Sequence, residues 1–295
     1  MAEPVDPLLP ARLRRLAFVA RNERLIAGAW YRAAQRLTDV VRPTVMNPFD
    51  HSHGTLPPDA NTAFGTATQS LWDGEIDREV MPKIRNTMME PWNSTLAGAP
   101  TSVRRFEADP TVTDYLTSAR NRLRNFPNEL YSSIVRLVAR GLDQGSSIPD
   151  IAALVRRALI TSGNDSYANR ATTVARTETI GATNAGSFAS AQALAEVIGD
   201  PNPQKVWLAT DDARTRDTHR IADGQRVSLT EAFLVGGFPL QFPGDPSGPP
   251  QEVINCRCTI LNVTEGETLD WTDRQFRRDA DDVWAEYDRQ QDQEN

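Results

Sequence analysis

Cys256 and Cys258 are the only cysteines in 295 residues, and a single arginine, Arg257, separates them in the stretch EVINCRCTIL (252–261). That stretch reads as a strand, with Val253, Ile254, Thr259, Ile260 and Leu261 around the pair. Side chains at i and i+2 of a strand share a face roughly 6.5 Å apart, whereas a disulfide brings its Cβ atoms to about 3.8 Å. An ordinary strand therefore cannot close Cys256 onto Cys258. The two thiols are either packed core or half of a metal site, with Arg257 facing the other way.

His219 is the nearest histidine in sequence to supply a third donor. Asp217 or Asp212 then completes a tetrahedral zinc set, which would be a structural zinc site. The same residues also fit a histidine hydrogen-bonded beside buried thiols, and both readings stand. A third chemistry, a Cys–His hydrolase built on His219, Asp217 and a thiol, belongs with a metal-dependent nuclease or deaminase as the enzymatic alternative. Zinc deaminases use H-x-E with P-C-x-x-C; here Arg-Ile-Ala follows His219 and the cysteines are one residue apart. A nuclease gathers more carboxylates or imidazoles, and the chain has three histidines. The other two, His51 and His53, sit in a turn-rich segment. The chain is expected not to be an enzyme.

The elements that must position these residues follow from periodicity. An apolar stripe of Leu13, Leu16, Ala20, Ile26, Trp30, Ala33, Leu37 and Val41 predicts one amphipathic helix over 11–42. Arg14, Arg15, Arg21, Arg24, Arg32 and Arg36 are interspersed, and Pro43 is expected to end the helix. Residues 43–60 read as a loop. Helical patterns continue over 61–90 and 111–143. Ser147, with Asp150 three residues on, forms a capping box for a helix beginning near Pro149. Residues 165–197 predict a long helix, rich in Ala, Gly, Ser and Thr, that packs closely on its neighbours. After 200 the pattern becomes short strands at 205–210, 225–229, 255–263 and within 233–242, with a short helix through 213–221. A last helix is expected from 270. The fold class is therefore α+β: a mostly helical N-terminal two thirds, a small mixed α/β C-terminal domain and a C-terminal helix. The expected division is 1–140, 141–265 and 266–295, the last an acidic helix and tail.

Composition narrows the partners. The formal net charge is −7, which argues against a general nucleic-acid coat. Lys83 and Lys205 are the only lysines, so arginine carries nearly all the positive charge. The arginine-rich first helix is either a solvated bundle face or a DNA contact. No apolar run approaches a membrane span, no secretory signal is expected, and the scarcity of cysteine suits a reducing interior.

Residues 176–258 carry several motifs in a fixed order. A helix holds Arg176, Glu178 and Asn184; Trp207 opens a strand leading to Asp212, Arg214, Arg216, Asp217 and His219. Asp223-Gly224 is a turn, Gly244-Asp245 follows Pro243, and Asn255-Cys256-Arg257-Cys258 closes the series. In this order and spacing the chain resembles the phage head morphogenesis proteins, the Mu F-like or SPP1 gp7-like minor head family, over roughly 140–265. That resemblance implies a virion protein of a tailed phage, held in the head interior or near the portal and present in the host cytoplasm during assembly. The implied partners are the portal protein and other capsid or scaffolding proteins, with a role in DNA packaging or ejection and no membrane. The residues themselves suggest structural duties. Asp and Arg in 211–217 offer caps and ion pairs, Arg176 and Glu178 could tie their helix to the α/β unit, and Asp223, Gly224, Gly244 and Asp245 form turns. Asn255 sets the start of the last strand.

Overall fold

The computed structural model describes residues 9–50, 65, 67–159, 165–210 and 212–263. The expected helix from 270, the acidic segment 266–295 and the His51/His53 pair lie outside the described residues. The described fold is α+β and mostly helical, with two small antiparallel sheets in its C-terminal part. The described residues up to Arg85, with Leu116–Ala175, make one compact unit. Asn86–Tyr115, with the residues from Arg176 onward, make a second.

The first unit is built on helix α1, Leu9–Asp50. Its inner stripe is as the periodicity predicts: Ala20, Ile26, Trp30, Ala33, Leu37 and Val41 are all buried. Pro43 does not end it. An interior proline forfeits one backbone hydrogen bond and bends a helix, but Pro43 is exposed and the next turn buries Val45 and Met46, so packing carries the helix through. Helix α2 (Ala67–Glu75), a π-helical turn (Ile76–Val80) and α3 (Met81–Thr95) follow as one helical run. Beyond come α4 (Pro110–Arg124), α5 (Phe126–Asp143) and α6 (Ile148–Leu159).

Trp30 meets Phe126 and Trp72 edge-on, with centroids 4.8 and 6.3 Å apart, and this aromatic knot joins α1, α2 and α5. The Trp72 indole N–H donates to the Leu123 carbonyl at 2.8 Å, so its one polar atom is satisfied in the core. The N-cap half of the expected capping box forms at the start of α6, and the two side chains bond each other. Asp150 N–H donates to Ser147 Oγ (3.3 Å) and the Ser147 hydroxyl donates back to Asp150 (2.6 Å).

Helix α7, Asp165–Ile198, supplies the frame of the second unit. Its small residues admit close neighbours: a Cβ on Gly186 would lie 2.3 Å from the Met88 carbonyl oxygen, and one on Gly181 would lie 2.3 Å from Tyr115 Oη. Strand β1 (Gln204–Leu208) is central in a three-stranded antiparallel sheet between β2 (Arg226–Ser228) and β5 (Thr259–Val263). In that register Trp207 faces Ile260 and Lys205 faces Asn262. A hairpin of β3 (Phe233–Val235) and β4 (Phe238–Leu240) turns at Gly236-Gly237, both at positive φ, as a two-residue hairpin loop demands. The short helices α8 (Asp217–Ala222) and α9 (Pro250–Val253) complete the unit.

The cysteine stretch departs from expectation. Residues 255–258 are not strand: α9 ends at Val253, Asn255 reverses the chain at φ 58°, and β5 begins only at Thr259. Asparagine tolerates this left-handed conformation better than most residues. The reversal replaces the extended geometry that would have held the two sulfurs apart on a strand face.

Candidate metal or structural centre

His219 lies in the first turn of α8, and its ring is buried between the cysteine turn and α9. Nδ1 is 3.3 Å from Cys258 Sγ and 3.6 Å from Cys256 Sγ. Nε2 is 3.0 Å from Glu252 Oε2. A carboxylate oxygen accepts, so Nε2 carries a ring proton, and Nδ1 is the ring nitrogen that faces the sulfurs. Thr218 donates its hydroxyl to the same Glu252 oxygen at 2.8 Å. Gly236 makes room for this carboxylate, since a Cβ there would come within 2.7 Å of Glu252 Oε1. The Trp207 indole stands edge-on to the imidazole at 5.4 Å and meets Phe233 at the same distance, walling the cluster with aromatic surface.

Both cysteines are free thiols and only 2% exposed; His219 is 1% exposed. The sulfurs are electrostatically unlike. A hydrogen bond from Cys256, then the neighbouring His219, holds Cys258 down to about 5 against the opposing effect of burial. Cys256 is pushed well up, first by that same bond to Cys258 and then by its own burial. The pair thus favours one thiolate and one thiol.

The contacts of the remaining motif residues are largely with backbone groups and neighbouring charges. Asn184 on α7 is 1% exposed and uses its whole amide: Nδ2 donates to the carbonyls of Pro243 (2.9 Å) and Cys258 (3.0 Å), and Oδ1 accepts from Thr259 Oγ1 (3.0 Å) and Ile260 N–H (3.4 Å). Glu178, also buried, accepts from Tyr115 Oη at 3.2 Å. Arg176 is half-buried on the same helix. Thr177 lies between them, and its hydroxyl accepts the Asn255 N–H at 3.1 Å. The ties from α7 to the cysteine turn therefore include Thr177 and Asn184.

Asp212 is an anchor rather than a ligand. Its carboxylate holds the Arg257 guanidinium, caps Arg214 N–H at 2.9 Å and accepts from Thr215 Oγ1 at 3.2 Å. Burial pushes its carboxyl up, but the hydrogen bond and charge of Arg257 outweigh this and leave it below the usual range. Asp217 has a 91% exposed side chain paired with Arg220, so neither aspartate reaches the sulfurs. Arg216 donates to the Ile254 carbonyl, and the Arg214 side chain is exposed. Asp223 Oδ1 accepts from Ala209 N–H at 2.9 Å, and Gly224, at φ 77°, donates to the Trp207 carbonyl at 2.9 Å. Gly244, at φ 84°, packs against Gly181, where a Cβ would meet backbone at 2.7 Å. Asp245 closes its own loop on Gln241 N–H (2.6 Å) and Ser247 N–H (2.9 Å).

The site can therefore hold a soft cation or share a proton. A nucleophilic cysteine needs a path for its substrate, and at 1–2% exposure these side chains offer none in this conformation. That observation weighs against the Cys–His hydrolase alternative.

Residues 132–261 match the family model described as "Phage Mu protein F like protein". The chain is 33% identical over 141 residues to the minor head protein GP7 of Bacillus phage SPP1, covering 47% of this chain and 42% of that protein. It is also 33% identical over 145 residues to an NAD(+)–arginine ADP-ribosyltransferase, EFV, of Enterococcus faecalis (strain ATCC 700802 / V583), covering 49% of this chain and 28% of that protein. The chain thus spans less than half the length of either relative. No solved structure gives a significant match.

Proposed function

We propose that this chain, whose residues 132–261 match the phage Mu F-like family model and are similar to a minor head protein, belongs with those proteins and acts as a low-copy component of a tailed-phage head, bound to the portal or the capsid interior during assembly. The observation that carries the reading is the 33% identity to the SPP1 minor head protein, supported by a motif series whose residues serve mainly as buried crosslinks and turns. A domain closed in this way suits a protein that presents surfaces to partners. Among the described residues no helix is long and apolar enough to cross a membrane. The transferase activity named for the enterococcal relative belongs to a protein of which this match covers only 28%. Our reading for this chain remains assembly, with roles in packaging or ejection following from its place in the head.

Co-expression with the portal protein of the same genome tests the partner. A complex that survives size-exclusion chromatography at physiological salt is the expected result; separate elution at every salt concentration overturns portal association. The arginines of α1 raise DNA as a second partner. Phosphate contact would make affinity fall steeply with salt, so binding that is absent at low salt removes that role.

A further inference from the structure

We propose that His219 Nδ1, Cys256 Sγ and Cys258 Sγ bind one zinc ion, which clasps α8 to the cysteine turn of the second unit. The three donor atoms lie within 4.8 Å of one another and all three residues are buried. Tetrahedral zinc, with metal–sulfur near 2.3 Å and metal–nitrogen near 2.0–2.1 Å, sets its sulfur and nitrogen ligands about 3.6 Å apart. The observed separations are 3.3 and 3.6 Å. The imidazole nitrogen thus already stands near ligand spacing from both sulfurs.

The surroundings match what a metal-bound imidazole requires. Ligating histidines donate their other N–H to a carboxylate, which fixes the tautomer and aims the lone pair at the metal. Glu252 does this at 3.0 Å, is itself buried, and is oriented by the Thr218 hydroxyl. A carboxylate buried in this place is hard to justify by packing, because burying one costs free energy unless its partners are good. Thiolate and imidazole together select zinc over magnesium or calcium. The described residues offer three donors, since Asp212 and Asp217 are engaged elsewhere, so a solvent oxygen completes the tetrahedron.

The consequence is mechanical. The donors come from segments more than thirty residues apart in sequence, joined by the β2–β4 region. Free energy of metal binding then becomes free energy of folding for this unit.

The test is cobalt(II) titration of tag-free, chelator-treated, reduced protein, followed by zinc displacement. About one cobalt per chain is expected, with a thiolate-to-cobalt charge-transfer band and the intense visible bands of a four-coordinate ion, both erased by one equivalent of zinc. Cys258→Ser should abolish the charge-transfer band or reduce it to that of a single thiolate. Because that variant could fail to fold, Glu252→Gln gives an independent reading: the bands persist while affinity weakens roughly 10–100-fold. Changing His51 and His53 to Ala should leave the titration unaltered. A folded, reduced wild type without a charge-transfer band would overturn the proposal. So would a cobalt stoichiometry that follows His51 and His53, or a Cys256–Cys258 disulfide in protein isolated anaerobically. None of these results bears on head assembly, which stands or falls on partner binding.

Discussion

Asn184 Nδ2 donates to the Cys258 carbonyl at 3.0 Å across 74 residues of sequence, so one amide on α7 ties that helix directly to the turn that carries the cysteine cluster. The same group also binds the Pro243 carbonyl and accepts from β5. A buried amide with all its bonds made is worth more through what its loss exposes than through any one bond.

Asn184→Ala should therefore destabilise the protein by roughly 3 kcal/mol, because buried carbonyls and N–H groups lose partners that each cost about 1–3 kcal/mol when left unmade. Asn184→Asp should be at least as harmful at neutral pH, since it turns a donor towards two carbonyls into an acceptor. Urea denaturation checks both. A loss below about 1 kcal/mol for Asn184→Ala would mean the amide is not the tie described.

Two helical glycines predict opposite outcomes for one substitution. Gly186→Ala would drive a Cβ to 2.3 Å from the Met88 backbone oxygen, which cannot swing aside, and should cost about 1–3 kcal/mol or more. Gly74, within α2, has nothing within 4 Å of its would-be Cβ, so Gly74→Ala should stabilise by up to about 1 kcal/mol. Thermal melts of the pair decide it, and a shift of the same sign in both would contradict the packing.

Lys205 gives a pH signature. Its side chain is fully buried on β1, donating to the Gln241 carbonyl (2.9 Å) and Oε1 (2.7 Å) and standing 4.3 Å over the Phe188 ring. Burial nevertheless dominates and lowers its pKa to about 7. Between pH 7 and about 10.4, the unfolded value, the unfolded chain binds the extra proton, so stability rises with pH across that window. Lys205→Met should remove this rise. Chemical denaturation at pH 7, 8.5 and 10 measures it, and an equal slope in the variant would show that Lys205 stays charged when folded.

Much of this was legible in the chain. The N-cap at Ser147, the extent of α7 and the existence of β1 are local patterns, and local patterns survive folding. Pro43 misled because tertiary packing of Val45 and Met46 overrode a local stop signal. The cysteine segment misled for a subtler reason. Its β-branched residues read as strand, while Asn255 at φ 58° and the proline-led turn at Pro250–Val253 fold it back. Nothing in sequence spacing marks Glu252 as the partner of His219, because α9 must form before they meet. A proline-started turn carrying one acid, set just before a cysteine pair, was the available signal. Asp212 and Asp217 were placed near His219 by sequence proximity alone, and the Arg257 and Arg220 partners draw them away.

The central claim is incorporation into the phage head, and quantitative peptide mass spectrometry of purified virions tests it most directly. The account predicts peptides from this chain at a few copies per particle, far below the major capsid protein. Their complete absence from infectious particles would contradict it.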